Sequence, residues 1–114
     1  MSHYDTNLDK NKANYVPLTP LTFLKRAKEI YPKYEALIYE NRKYSWEEVY
    51  KRTVRFASAL KKIGIGKGDT VSFLAFNTPE IFEGHYSVPM TGAVLNTINI
   101  RLDAKTIAYI LDHS

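Results

Sequence analysis

The 114-residue sequence contains no cysteine. This absence excludes disulfide bonds, zinc sites built on thiolates and cysteine nucleophiles, and it makes a reducing cytosol the simplest setting. The sequence also lacks any apolar run of the roughly 20 residues that a membrane-spanning helix needs. The segment MSHYDTNLDKNK is polar and carries both charge signs, so it contains no apolar signal-peptide core. We therefore expect a cytoplasmic protein without a membrane span.

Basic residues exceed acidic ones only modestly and form no block. Sixteen Lys and Arg face twelve Asp and Glu, which gives a net charge of +4. The densest basic group lies on a predicted helix beside Glu47 and Glu48 and comprises Lys51, Arg52, Arg55, Lys61 and Lys62. Basic residues mixed with acids are typical of a solvated helix face, whereas a nucleic-acid interface needs a continuous basic patch. The sequence therefore predicts no nucleic-acid partner.

Glycine is scarce, and its only cluster is the run Gly64-Ile65-Gly66-Lys67-Gly68. A phosphate-binding loop follows a strand and opens a helix, because the N–H groups of the helix N-terminus then face the phosphate. This run has the opposite context, since it follows a predicted helix and precedes a predicted strand. The pattern therefore predicts a tight turn between the two elements.

The clearest element signals lie just after this turn. Residues 70–76 are apolar and rich in β-branched and aromatic side chains, which indicates a buried strand. Residues 77–80 combine a capping side chain, a proline at the first helical position and an acid in the first turn. We therefore expect a helix to begin there and to run to about Met90 or Thr91.

This helix connects two strands. One of its faces is predicted to be apolar and is formed by Ile81, Phe82, Tyr86 or His85, and Pro89 or Met90. Pro89 is expected to bend or end the last turn, and Gly92 to stop the helix. Residues 93–98 are a second apolar run of strand length. A strand-helix-strand unit of this kind predicts two parallel strands in a sheet covered by helices.

Upstream, residues 1–16 are predicted to be a polar N-terminal tail, and residues 17–114 to form the folded region. Thr19 and Pro20 are the cap and first residue of a helix that Pro32 ends. Its apolar positions recur at helical spacing and are Phe23, Leu24, Ala27, Ile30 and Tyr31.

A hairpin and a second helix follow. Residues 36–39 and 43–44 flank Glu40-Asn41-Arg42, which predicts two antiparallel strands and a short turn. Ser45 and Glu48 match a capping box, and the helix that follows should run to about Lys62 or Ile63 and end at Gly64. Its inward stripe is predicted to contain Val49, Thr53, Phe56, Ala57, Leu60 and Ile63.

After the second parallel strand, residues 99–102 form a predicted loop, and Asp103 is a plausible N-cap for a short amphipathic helix. Asn99 and Arg101 fall at the carboxyl edge of the predicted strands, where open parallel sheets place their ligands. Arg101 is therefore a candidate for holding a phosphate or carboxylate. The interpretation we favour is that Asn99 and Arg101 pin the loop through hydrogen bonds to backbone carbonyls.

Two other groups of side chains merit comment. His85 has no second histidine within helical reach, so a packed or hydrogen-bonded helix histidine is favoured over a metal ligand or a residue of an acyl pocket shared with Tyr86. Tyr44, Trp46 and Tyr50 surround the hairpin and the helix start, and packing is favoured over stacking on a nucleotide.

As a set, these segments resemble the N-terminal part of the adenylate-forming acyl-CoA synthetases, the AMP-dependent synthetase/ligase family. The positions that carry the resemblance are Gly68-Asp69, Val71, Asn77, Glu80, Gly92-Ala93-Val94, Asn99, Arg101-Leu102 and the closing Ile110 to Ser114. The segments 14–24 and 44–49 are similar to the branch that activates small and medium organic acids. The resemblance covers residues 13–114.

The resemblance implies an α/β piece of the large domain of such an enzyme and a two-step reaction. A carboxylic acid and ATP give an acyl-adenylate and pyrophosphate, and coenzyme A then displaces AMP. The family's Ser/Thr/Gly-rich nucleotide loop with its Lys, its magnesium ligand, its ribose-binding Asp and the Lys of its C-terminal domain have no counterpart in residues 1–114. ATP, magnesium and coenzyme A are therefore implied for the parent enzyme, and none of them for this segment alone.

We accordingly predict an N-terminal fragment of an acyl-CoA synthetase that is inactive alone, with no catalytic, cofactor-binding or metal residue of its own. Its partners would be the remainder of the synthetase chain and, in the parent, a small to medium carboxylic acid. The alternative is a stand-alone non-catalytic binding or assembly module derived from the same family.

Overall fold

The computed structural model describes residue 7 and residues 9–114. The elements run in the order α1 (Pro20–Ile30), β1 (Glu35–Tyr39), β2 (Arg42–Ser45), α2 (Trp46–Lys62), β3 (Thr70–Leu74), α3 (Pro79–Thr91), β4 (Val94–Ile98) and α4 (Ala104–His113). The predicted tail, residues 1–16, lies partly outside the described residues, and its described residues are exposed. None of the helices in the described part of the chain has the length and apolar character needed to cross a membrane.

The first helix begins where the sequence predicts. The Thr19 hydroxyl accepts a hydrogen bond from the N–H of Thr22 at 3.4 Å, and Pro20 occupies the first helical turn. Leu24 is buried, whereas Phe23 and Ile30, which share its predicted stripe, are each about half exposed. Only the middle of α1 is therefore covered by its neighbours α2 and α3.

The hairpin of β1 and β2 differs from the prediction by one residue at its turn. Tyr39 pairs with Arg42, so Glu40 and Asn41 alone form the turn, and Glu40 adopts a φ of 51°. Arg42 belongs to β2 instead of the predicted turn. In this position Arg42 lies close to α3, and its guanidinium donates a hydrogen bond to Glu80 on that helix.

The second helix confirms both predicted caps. The Ser45 hydroxyl accepts from the N–H of Glu48 at 3.3 Å, and the Glu48 carboxylate accepts from the N–H of Ser45 at 2.8 Å. At the other end, the N–H of Ile65 donates to the carbonyl of Leu60 at 3.0 Å, while Gly64 has a φ of +93°. This is a Schellman arrangement, in which glycine takes the left-handed position.

The inward stripe of α2 is confirmed at Val49, Thr53, Ala57 and Leu60, which are buried. Ile63 was predicted to share this stripe, but it is 76% exposed. It occupies the C-cap, where the chain leaves the helical path, so its side chain no longer follows the helical period.

The strand-helix-strand unit is confirmed. β3 and β4 pair in parallel with Thr70 opposite Val94 and Leu74 opposite Ile98. β3 ends at Leu74, two residues before the predicted end of the strand, and α3 begins at Pro79 after Thr78. The helix ends at Thr91, Gly92 follows as its C-cap with a φ of 88°, and Pro89 lies within its last turn.

The core lies between α2, α3 and the parallel strand pair. Its buried centre is formed by Leu60, Val88 and Ala93, and the partly buried side chains packed on this centre are Phe56, Ile65, Val71, Phe73 and Leu95. The rings of Phe56 and Phe73 meet edge to face with centroids 6.0 Å apart. This geometry is favourable for aromatic pairs and ties α2 to β3.

The buried face of α3 is not the one predicted. Its buried residues are Pro79, Glu83, Gly84, Ser87, Val88 and Thr91, whereas Ile81 and Phe82 are partly exposed. Small side chains let α3 approach α2 and the sheet closely, and one polar member, Glu83, obtains a partner across that interface in Arg52. The apolar face instead borders a cleft beneath the hairpin.

Candidate functional site

Two clefts border the N-terminal half of α3. The first, which we call the hairpin cleft, has a volume of about 500 Å³ and lies between β1 and α3. Its lining comprises Leu37, Ile38, Tyr39, Asn77, Thr78, Pro79, Ile81, Phe82, His85 and Tyr86. Most of these side chains are apolar, and the few polar groups come from the start of α3 and from His85. A cleft of this size and character falls in the range of small-molecule sites.

His85 lies at the rim of the hairpin cleft. Its Nδ1 lies 2.7 Å from the carbonyl oxygen of Ile81, and because a carbonyl only accepts, Nδ1 donates this hydrogen bond. The expectation of a hydrogen-bonded helix histidine is therefore confirmed. In the neutral ring this bond leaves Nε2 as an acceptor.

A chain of ion pairs joins the hairpin, α2 and α3. Arg42 on β2 donates to the Glu80 carboxylate at 2.7 Å, and Arg52 on α2 lies 3.7 Å from the same carboxylate. Arg52 also donates to Glu83 through Nη2 at 3.2 Å and through Nε. These contacts fix the position of the hairpin relative to the first turn of α3, and hence the width of the hairpin cleft.

The charges of this network are mutually stabilised. The hydrogen bond from Arg42 is the main cause that lowers the pKa of Glu80 to about 2. In turn, the hydrogen bond to Glu83 raises the pKa of Arg52 above its ordinary value. Glu80, Arg42 and Arg52 therefore remain charged at neutral pH.

The second cleft, which we call the strand-end cleft, lies at the carboxyl ends of β3 and β4 and has a volume of about 500 Å³. Its lining comprises Ala75, Phe76, Asn77, Ile81, Thr97, Ile98, Asn99, Ile100 and Arg101. The sequence placed Asn99 and Arg101 at this edge, and the structure confirms that position.

Asn99 and Arg101 play different parts in this cleft. The Asn99 side-chain oxygen accepts from the backbone N–H of Arg101 at 2.9 Å, so Asn99 does pin the loop, although its partner is an N–H and not a carbonyl. Arg101 was favoured for the same structural role. That interpretation is wrong, because its guanidinium has no hydrogen-bond or ion-pair partner among the described residues.

The three aromatic residues of the hairpin and α2 start have separate surroundings. The Tyr44 ring lies 4.8 Å from the Arg52 guanidinium, and the Tyr50 ring lies 5.5 Å from Lys28 Nζ. Trp46 lines a third, smaller cleft of about 320 Å³ beside α1. The contacts of Tyr44 and Tyr50 with neighbouring side chains agree with the predicted packing role, and that role stays a prediction for Trp46.

The predicted basic helix face carries acidic partners as well. Lys51 Nζ lies 2.9 Å from Glu47, one helical turn earlier, and Arg52 is held by Glu83.

The glycine-rich run 64–68 connects α2 to β3, so it is the turn that the sequence predicts.

Magnesium, which the family resemblance implies for the parent, does not fit the residues present. Across residue 7 and residues 9–114, no three His, Asp or Glu side chains lie together in a way that could hold a metal ion. We assign no metal ligand and no metal-dependent step to this part of the chain.

The ion pairs are the feature of the site that sequence reasoning missed. Arg42 and Glu80 are 38 residues apart in the chain, and Arg52 and Glu83 are 31 apart. In the sequence Glu80 is recognisable only as an acid in a first helical turn, and nothing local marks its partners. The sequence contained one signal that an acid is buried here, because Glu83 lies within a predicted helix next to apolar residues.

This arrangement of a hairpin, helices and a parallel strand pair forms about a quarter of two larger solved chains. The N-terminal subdomain of NpsA from Klebsiella oxytoca superposes with a TM-score of 0.76 at 22% identity, over 82% of this chain and 24% of that one. The O-succinylbenzoate coenzyme A synthetase of Bacillus subtilis, solved with ATP and magnesium ion, gives 0.74 at 24% identity, over 79% and 25% of the two chains. At identities below 25%, this structural similarity establishes the fold alone.

The sequence comparisons give the family. The model of the AMP-binding enzyme family matches residues 24–114, so the chain belongs to that family, and the predicted resemblance is confirmed. A peroxisomal butyrate–CoA ligase of Arabidopsis thaliana is 55% identical over 95% of this chain, and a peroxisomal trans-cinnamate:CoA ligase of Petunia hybrida is 55% identical over 94%. An acetate–CoA ligase of Humulus lupulus is 50% identical over 95%. In each case the chain spans 19% of the relative's length.

Proposed function

We propose that this chain forms the N-terminal part of an ATP-dependent acyl-CoA synthetase. In that reaction a carboxylic acid, ATP and coenzyme A give acyl-CoA, AMP and pyrophosphate. The single observation that carries the proposal is the identity of 50–55% with CoA ligases over 94–95% of the chain. Because the chain spans about a fifth of these relatives, the reaction is proposed for the whole polypeptide.

Within that polypeptide, this part would supply framework and cleft walls. The parallel strands β3 and β4 and the helices packed on them form a sheet layer, and the ion pairs of Arg42 and Arg52 fix the hairpin on it. ATP, magnesium and coenzyme A would be held by the remainder of the synthetase chain. We assign this segment no catalytic or cofactor-binding residue and expect it to be inactive alone.

The acid is proposed only as a class. The relatives named above act on butyrate, trans-cinnamate and acetate, as their names state, which supports a small to medium carboxylic acid. Two of those names also place the relatives in peroxisomes. A peroxisomal site therefore competes with the cytoplasmic location that we predicted from composition, and imaging of the tagged full polypeptide would distinguish the two.

A chimera tests the proposal directly. The 114-residue chain replaces the matching fifth of the Arabidopsis butyrate–CoA ligase, and butyrate-dependent exchange of pyrophosphate into ATP and formation of butyryl-CoA are measured. We expect the chimera to retain both activities, because the replaced segment is 55% identical. The intact ligase and a ligase that lacks this segment are the controls. The 114-residue chain alone should show no activity in either assay.

Two outcomes would contradict the proposal. Exchange catalysed by the pure 114-residue chain would show that it carries a catalytic site of its own. A folded chimera without activity would show that the segment does not serve a synthetase. The alternative, a separate assembly module, predicts instead that the free chain restores activity when it is mixed with the ligase that lacks the segment.

A further inference from the structure

We propose that the third cleft, beside α1, binds a small planar aromatic carboxylate. We call it the α1 cleft, and its volume is about 320 Å³. This volume lies near the lower end of the range of small-molecule sites, so it suits a ligand with one ring and one charged group. The proposal stands on the residues that line the α1 cleft and does not depend on the synthetase proposal.

The walls of the α1 cleft are aromatic and come from three helices. Four rings line it, from α1 and its C-cap, the first residue of α2, and α3, namely Phe23, Tyr31, Trp46 and Tyr86. Phe23 is 55% exposed and Tyr31 is 49% exposed, so both rings have surface that a ligand can cover. A flat ring packs favourably on such a wall, either offset-stacked or edge to face. The body of the ligand is therefore assigned as aromatic.

The polar groups of the α1 cleft are donors without acceptors. The guanidinium of Arg26 and the indole N–H of Trp46 only donate, and the hydroxyls of Tyr31 and Tyr86 can donate. Among the described residues, none of these four side chains has a hydrogen-bond partner. No acid is among the residues that line the cleft. The complementary ligand group is therefore an acceptor that carries negative charge.

Arg26 supplies the charge that selects an anion. It is exposed, and no acid in the part of the chain that the structure describes forms an ion pair with it. The one acid of α1, Glu29, instead lies 3.9 Å from Lys25. A planar guanidinium with its fork of donors available suits two-point contact with a carboxylate. A ring against the aromatic wall and a carboxylate on Arg26 use both features of the cleft.

Benzoate is the probe, and two analogues each lack one of its features. Cyclohexanecarboxylate keeps the charge but has no aromatic ring, and benzyl alcohol keeps the ring but has no charge. Trp46 is the only tryptophan of the 114-residue chain, so labelling with 5-fluorotryptophan gives one ¹⁹F resonance that reports on the α1 cleft. Each probe is titrated at constant ionic strength into the ligase chimera, where Trp46→Phe identifies this resonance, and into the isolated chain once circular dichroism shows that it is folded.

Benzoate should shift the resonance of Trp46 saturably. We expect it to bind about ten-fold or more tightly than benzyl alcohol, because only the carboxylate forms charge-assisted hydrogen bonds with Arg26. Its affinity should exceed that of cyclohexanecarboxylate by about three-fold, the size of an aromatic contact beyond simple area burial.

Arg26→Gln and Lys25→Gln form the matched pair of variants. Both remove one positive charge from α1, but Lys25 does not line the cleft. Arg26→Gln should weaken benzoate binding by about ten-fold or more and leave benzyl alcohol unaffected, whereas Lys25→Gln should change neither by more than about two-fold. Phe23→Leu should abolish the preference for benzoate over cyclohexanecarboxylate while it keeps the preference over benzyl alcohol.

Three results would overturn the proposal. One is the absence of a saturable shift with benzoate, and another is equal weakening by Arg26→Gln and Lys25→Gln. The third is a response of the isolated chain without a response of the chimera, since the remainder of the synthetase would then cover the cleft. An inactive chimera whose Trp46 resonance still responds to benzoate removes the synthetase proposal alone, whereas an active chimera whose resonance does not respond removes the α1 cleft as a binding site.

Discussion

Arg52 on α2 and Glu83 on α3 form an ion pair whose acid is buried. The Glu83 side chain is 6% exposed. Arg52 donates to its carboxylate through two nitrogens, Nε and Nη2, and the Nη2 contact is 3.2 Å long. Arg52 also lies 4.8 Å from the Tyr44 ring and 3.7 Å from Glu80. One guanidinium thus contacts β2, α2 and α3 and adds a polar link to the apolar contacts between α2 and α3.

Glu83→Gln should destabilise the protein because it leaves the guanidinium of Arg52 without its buried counter-charge. We expect a loss of about 2 kcal/mol in the free energy of unfolding, the size of a hydrogen bond to a charged group. Chemical denaturation monitored by circular dichroism measures it. Glu35→Gln is the matched control, since its pair with Lys43 is more than half exposed on both sides and should contribute less than about 0.5 kcal/mol. Equal effects of the two variants would contradict the role of burial.

Gly84 is required for the close approach of α3 to the sheet. A Cβ at this position would lie 2.8 Å from Cζ of Phe73, and Phe73 is itself held by Phe56. Gly84→Ala should therefore lower stability by about 1 kcal/mol, the net of overpacking and a gain in helix propensity. Thermal unfolding of Gly84→Ala alone and combined with Phe73→Leu checks this, because the smaller side chain should recover the loss. Gly66→Ala, with no atom within 4 Å of the new Cβ, is the neutral control.

The buried threonines of α2 and α3 differ in hydrogen bonding. The Thr53 hydroxyl is fully buried and has no hydrogen-bond partner among the described residues, whereas the Thr91 hydroxyl donates to the carbonyl of Val88 at 2.7 Å. Thr53→Val should therefore raise the free energy of unfolding by about 1 kcal/mol, since it removes an unpaired polar group without changing shape. Thr91→Val should lower it by about as much. Denaturant midpoints compare the two, and a loss of stability in both would show that Thr53 has a partner after all.

The elements of this fold could be predicted because their boundaries are marked locally. The caps at Thr19, Ser45 and Asp103 each bond to an N–H three residues ahead, so the sequence itself contains both partners. The strand-helix-strand unit follows from run length and from Pro79 and Gly92 at the ends of its helix. Which face of α3 is buried could not be predicted. The buried face depends on what packs against the helix. The face around Gly84 is buried because its small side chains permit closer contact than the face with Ile81 and Phe82.

The candidate site was predictable to a similar degree. Chain order alone put Asn99 and Arg101 at the ends of the parallel strands, since the residues that follow a strand must lie at its carboxyl edge. The ion pairs of Glu80 and Glu83 with two arginines were not predictable. Their partners come from distant elements, and no local pattern distinguishes an acid that pairs across an interface from one that faces solvent.

The pair of Arg42 and Glu80 makes stability depend on pH. The hydrogen bond from Arg42 lowers the pKa of Glu80 from 4.5 to about 2 in the folded protein. A carboxyl whose folded-state pKa is depressed stabilises the protein fully above its unfolded pKa. This contribution is then lost as the pH falls from about 4.5 toward 2, where the group becomes protonated. Both side chains are more than 40% exposed, so salt should weaken the contribution.

Arg42→Gln tests this relationship, because it removes the main cause of the depressed pKa. The pKa of Glu80, measured from its side-chain ¹³C resonance, should rise toward 4.5 in the variant. The stability difference between the unmodified protein and Arg42→Gln should be largest above about pH 5 and should shrink as the pH falls toward 2, because a protonated Glu80 no longer attracts Arg42. Arg55→Gln controls for the change in net charge. A difference between the unmodified protein and Arg42→Gln that is the same at pH 6 and pH 2.5 would contradict the role of the Glu80 charge and point to lost packing of Arg42 on the Tyr39 ring, 5.2 Å away.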